Sequence, residues 1–116
     1  RLEARVIGLT HADGLLAAEV VSGVLTHELM GRARQAAARG QCCRETPMTL
    51  TLEDGTIVEG VVDLAFEENG RWCVVDYKTD RELGPEEARY RRQIALYVEA
   101  IQRSTGRPAD GILARV

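Results

Sequence analysis

Apolar and polar positions are patterned most clearly between residues 57 and 78. Two β-branched runs, residues 61–66 and 72–77, flank the dipeptide Asn69-Gly70. Short runs of this kind separated by Asn-Gly predict a β-hairpin with a tight primed turn. Upstream, residues 48–52 predict a strand, Asp54-Gly55 a two-residue hairpin turn, and residues 57–66 the next strand. Residues 72–78 then make the third strand of an antiparallel meander. The period changes after that: Tyr90, Ile94, Tyr97, Val98 and Ile101 form one stripe at helical spacing. Residues 83–85 read as a connection. Pro85 followed by Glu86 and Glu87 marks the helix's first turn, and Ser104-Thr105-Gly106-Arg107-Pro108 ends it. Residues 111–116 predict a final strand, which a helical crossover places parallel to the third.

The N-terminal third is less regular. Residues 1–9 read as the tail of an upstream helix. Asp13 reads as the cap of a helix beginning at Gly14, with Leu16, Val20, Val21, Val24 and Leu25 at roughly helical spacing. Near Thr26-His27 that helix breaks or bends into a second helical stretch, residues 29–38, stopped by Gly40. The expected order is α-β-β-β-α-β, an α/β domain with a mixed sheet flanked by helices. The whole chain, residues 1–116, reads as one domain, with a helical part over 1–40 and a core over 41–116.

Counting along the hairpin makes two residues conspicuous. If Asn69 and Gly70 form the loop, Glu68 faces Arg71, and Asp63 lies opposite Asp76. Opposed residues share a face with Cβ atoms about 4.5–5.5 Å apart, and like charges there repel. Alternation puts Lys78 on the face of Asp76. Two carboxylates and an ammonium thus converge on an otherwise apolar hairpin. Asp63 and Asp76 can hold one or two Mg²⁺ ions that activate a phosphodiester, and Lys78 can position the attacking water or stabilise the developing charge. The plainer reading is an ion cluster on a solvated strand; a second aspartate in cross-strand register favours the metal.

Composition narrows the partners more than the fold. With 116 residues, 45% apolar and 28% charged, the chain has the make-up of an ordinary globular domain. A net charge of −3 argues against a freestanding basic nucleic-acid binder, so a DNA-binding channel would need a local patch or attached domains. Cys42, Cys43 and Cys73 are odd in number and include no C-x-x-C pair, which fits a reducing cytoplasm rather than a disulfide, zinc or iron–sulfur framework. No run approaches a membrane span and no signal peptide is visible. Arg1 opens directly onto an apolar pattern, as expected for a fragment of something larger.

The strings GVVDLAF and WCVVDYKTD, followed by a helix carrying Gln93-x-x-x-Tyr97, resemble the RecB-like branch of the PD-(D/E)xK nuclease superfamily. Within it the chain looks most like the C-terminal nuclease domain of AddA-type helicase–nucleases, from Arg44-Glu45 through the Thr105–Pro108 turn to the last strand. The resemblance implies a restriction-endonuclease-like core and Mg²⁺- or Mn²⁺-dependent DNA hydrolysis during processing of double-strand breaks. It makes Asp63 and Asp76 the metal-ligand acids and Lys78 the catalytic lysine. Tyr77 would lend its backbone carbonyl to the metal, while Gln93 and Tyr97 would lie beside the site and the DNA. Glu45 matches a further position near the site. The implied partners are DNA, helicase domains of the same parent chain and a second, AddB-like protein chain.

These nucleases also carry a metal-binding histidine after a Gly-x-x-x spacing at the start of a helix. Gly23-Val24-Leu25-Thr26-His27 has the spacing, yet His27 falls near the end of the predicted first helix and His11 fits less well. The expectation is therefore that the histidine lies before Arg1 and that the isolated fragment is poorly active. Trp72 and Phe66 read as hairpin packing or, less readily, as base-stacking platforms. Arg89, Arg91 and Arg92 read as phosphate contacts or a solvated face, and Cys73 as core. The rival functions are an inactive fold that binds DNA or docks to subunits, and another metal-dependent phosphodiesterase.

Overall fold

A computed structural model describes the backbone of residues 5–12, 15–21 and 23–115, and the side chains of residues 27–79 and 81–115. The elements follow the order β1 (Arg5–Ala12), β2 (Leu15–Val21), α1 (Gly23–Ala38), β3 (Cys42–Thr51), β4 (Ile57–Glu68), β5 (Arg71–Lys78), α2 (Asp80–Leu83), α3 (Glu87–Thr105) and β6 (Ala109–Arg115). The predicted meander and crossover are present. β3, β4 and β5 pair antiparallel, and β6 lies parallel to β5.

The N-terminal third departs from expectation. Residues 5–12 and 15–21 are not helical: β1 and β2 pair antiparallel, Ala12 facing Leu15, and β1 continues onto β6. The sheet is thereby extended to six strands in the order β2-β1-β6-β5-β4-β3. Leu16, Val20 and Val21 suit either period in so short a run, and pairing with β1 decides for the strand. The dipeptide between the two strands, Asp13-Gly14, is itself a hairpin signal. Asp13 and Gly14 lie outside the described residues, so the expected cap does too. One continuous helix, α1, replaces the broken pair and starts at Gly23. Gly40, at φ 73°, stops it as expected, with Gly40 N–H donating to the Ala37 carbonyl at 3.0 Å.

Two smaller corrections concern connections. The β3–β4 turn is a three-residue loop closed by Leu52 N–H to the Thr56 carbonyl at 2.8 Å, with Gly55 at φ 87°. That geometry matches the hairpin loop whose last residue is left-handed. The connection after β5 contains the short helix α2, capped reciprocally by Thr79 and Glu82. Thr79 N–H donates to Glu82 Oε1 at 3.0 Å, and Glu82 N–H to Thr79 Oγ1 at 3.2 Å. Thr-x-x-Glu is the spacing of a capping box.

Two cores sandwich the sheet. Leu29, Ala33 and Ala36 of α1 cover Leu64, Phe66, Cys73, Val75 and Ala114. Ile94, Tyr97, Val98 and Ile101 of α3, the predicted stripe, cover Val62, Ala65, Val74 and Leu113. Each such large side chain contributes about 1.5–3 kcal/mol on full burial. Cys73 is core as expected, its thiol pushed up to about 12 by burial. Phe66 is fully buried under α1, and Trp72 packs against the α3 core, so neither presents an open stacking face.

Candidate metal-dependent active site

Asn69 and Gly70 both have positive φ, 54° and 79°, the signature of a type I′ turn, and they set the register of β4 against β5. Glu68 pairs with Arg71, and the ladder runs back to Leu64 opposite Val75. One step further it stops, at Asp63 and Asp76. The Asp63 carboxylate turns into the gap, where its Oδ2 accepts the Tyr77 N–H at 2.8 Å.

Side-chain facing shows why Asp63 can do this. Residues two apart on a regular strand share a face, yet Val62 packs beneath α3 and Leu64 beneath α1. β4 therefore changes over at Asp63. β3 does the same alongside it: Cys43 and Met48 both contact the α3 core although they stand an odd number of positions apart. The residue between them that lies opposite Asp63 in the β3–β4 register is Glu45, in the left-handed region at φ 48°. A left-handed glutamate costs energy that the surrounding ladder must offset. Both strands twist by one position at the acids, and the pairing register survives.

Asp76 is the buried polar residue of the described core, 4% exposed. Burial, a hydrogen bond with Asp63 and the Asp63 charge push its carboxyl up to about 7, against the opposing pull of Lys78. The two acids are close enough to act on each other, one step beyond the last pair of the β4–β5 register. Lys78 Nζ lies 3.2 Å from Asp76 Oδ2, on the expected face. Burial lowers the Lys78 ammonium pKa, but Asp76 outweighs it, helped by Glu82 and Asp63, so the group is held in its charged form. One ammonium beside two acids leaves acidic groups in excess around the buried Asp76. This donor set, with the Tyr77 carbonyl on the same strand, suits a hard divalent cation. Among the described residues no group of three or more His, Cys, Asp or Glu side chains gathers as a metal cluster.

Tyr97 serves the fold and borders the site. It is 5% exposed and lies over Gly60, where a Cβ would come within 2.7 and 2.8 Å of its ring carbons. Burial, and then the Asp76 charge, raise the pKa of its hydroxyl. Gln93, one turn earlier on α3, is half-buried and makes no side-chain hydrogen bond among the described residues. Arg89 and Arg91 are ion-paired with Glu86 at 2.7 Å and Glu87 at 3.1 Å, while Arg92 is exposed.

His27 is displaced from its expected setting. It stands four residues into α1, at the start of a helix and not near the end of one. Three residues on, the Met30 sulfur accepts the Tyr77 hydroxyl at 3.3 Å, so this stretch of α1 lies over the strand that carries the acids. His27 is exposed, and α1 leads directly into β3, the strand that carries Arg44-Glu45. His11 lies outside the residues whose side chains are described.

A family model described as the PD-(D/E)XK nuclease superfamily matches residues 15–116. The chain is 38% identical over 110 residues to the A subunit of the ATP-dependent helicase/nuclease of Lysinibacillus sphaericus, covering 81% of this chain and 9% of that protein. It is 42% identical over 60 residues to the protein of the same name from Alkaliphilus oremlandii, covering 48% of this chain and 5% of that one. For Anoxybacillus flavithermus the figures are 38% over 82 residues, 63% and 7%. The chain therefore spans less than a tenth of the length of these relatives.

Proposed function

The chain belongs to the PD-(D/E)XK nuclease superfamily, and from that premise we propose that it is the metal-dependent DNA nuclease domain of an ATP-dependent helicase–nuclease that processes double-strand breaks. The observation that carries the reading is the buried Asp76 with the Lys78 ammonium 3.2 Å away and Asp63 beside it, its carboxylate accepting the N–H of the next residue, Tyr77. A fold that only docks to other chains gains nothing from keeping two acids together on adjoining interior strands.

In this reading Asp63, Asp76 and the Tyr77 carbonyl hold Mg²⁺ or Mn²⁺. When bound, the cation supplies Lewis acidity, polarising the phosphodiester and withdrawing charge from the attacking and leaving oxygens. Lys78 places a fixed positive charge beside the scissile phosphate. Asp63, by accepting the Tyr77 N–H, keeps the backbone at Tyr77 fixed while its other oxygen stays available. Gln93 faces the DNA as a positioning group, and Tyr97 supports β4 from beneath. The names of the relatives support helicase domains in a longer parent chain and DNA as the substrate; a second, AddB-like protein chain completes the proposal. Free Cys42, Cys43 and Cys73 suit a reducing cytoplasm, and no helix among the described residues is long and apolar enough to cross a membrane.

The test is metal dependence in the full-length protein. Degradation of linear DNA should stop on chelation and return with Mg²⁺ or Mn²⁺. Equal degradation with and without chelator would contradict the proposal.

A further inference from the structure

Lys78 is held at two points. Its Nζ sits 3.2 Å from Asp76 Oδ2 and 4.6 Å from the centroid of the Tyr90 ring. The lysine side chain is 17% exposed. Tyr90 comes from α3, three residues before Gln93, and is half-buried against the core that contains Leu83 and Ile94. Its hydroxyl accepts from Arg89 Nη2 at 3.2 Å, and Arg89 is itself tied to Glu86. The ring is therefore fixed from the core and from the surface.

An ammonium on a four-carbon stem has three rotatable donors and no directional preference of its own. With Asp76 as its sole partner, it would follow that carboxylate wherever the carboxylate turned. An aromatic face within about 6 Å attracts a cation independently of any carboxylate. We propose that Tyr90 is a positioning residue for the reaction: its ring holds the Lys78 ammonium in place when Asp76 is engaged by a metal ion. The inference rests on the reading of Lys78 as a catalytic lysine.

The test is a double-mutant cycle in the full-length protein, read as the single-turnover cleavage rate at saturating DNA and metal. Tyr90→Phe, which keeps the ring, should stay within about twofold of wild type. Tyr90→Leu and Tyr90→Met, which remove it, should each be on the order of tenfold slower with unchanged DNA affinity. In a Lys78→Met background, adding Tyr90→Leu should cost nothing more, because the two residues act as one unit. A loss that adds in full to that of Lys78→Met, or a Phe variant as slow as Leu and Met, would overturn the inference. A slow Lys78→Met enzyme beside fast Tyr90→Leu and Tyr90→Met enzymes overturns the inference alone. A Lys78→Met enzyme at the wild-type rate overturns the reading of Lys78 and the inference with it.

Discussion

Converting Asp76 to asparagine should lower DNA cleavage by on the order of a thousandfold or more, while making the metal-free chain more stable at pH 8. Both effects follow from one feature. Asp76 is buried beside Asp63 and titrates at about 7 in the fold, against 3.8 for an ordinary aspartate. Ionising it in the folded state is penalised, at about 1.4 kcal/mol per pKa unit. The sign follows from linkage: a carboxyl whose folded pKa is raised lets the fold bind its proton more tightly than the unfolded chain does. The stability it contributes is full below about pH 4, fades as pH rises toward 7, and is gone above that. Asparagine mimics the neutral form at every pH. The variant should therefore exceed wild type by a few kcal/mol at pH 8, on the order set by that conversion, and by little at pH 4. Urea unfolding of the metal-free protein at the two pH values measures this. An asparagine variant that is less stable than wild type by the same margin at both would contradict the electrostatic account.

Lys78→Met should slow cleavage by about 10²–10³, the usual cost of losing one preorganised charge stabiliser, and leave metal binding intact or tighter. The lysine neutralises one of two adjacent carboxylates, so its removal leaves more negative charge for a cation to balance. A residue that mattered only for holding the site together would lose cleavage and metal affinity in parallel. Single-turnover rates set beside Mn²⁺ titrations separate the two cases. A parallel fall would assign Lys78 to structure.

The core of this site is legible in the sequence because its geometry is set by short-range rules. Asn69-Gly70 fixes the turn, the turn fixes the register, and the register brings Asp63 to Asp76. The α3 stripe is legible for a similar reason, since five apolar positions at one period leave little choice. The N-terminal hairpin is not. Residues 15–21 are apolar at every position but Glu19, so neither a period of two nor one of 3.6 stands out, and β2 pairs with β1, which in turn pairs with β6, far away in sequence. The change of face at Asp63 is also invisible, because nothing about glutamate announces that Glu45 will be left-handed. Only the packing of two cores against opposite faces enforces it. The capping box of Thr79 and Glu82, by contrast, is written in the sequence as Thr-x-x-Glu, and it predicts α2 where a plain connection was expected.

The most direct test of the account is Mn²⁺ binding followed by electron paramagnetic resonance. Wild-type protein should take up Mn²⁺, and the Asp63→Asn/Asp76→Asn double variant should not bind at the same concentrations. Undiminished Mn²⁺ binding by the double variant would contradict the claim that these two aspartates form the metal site.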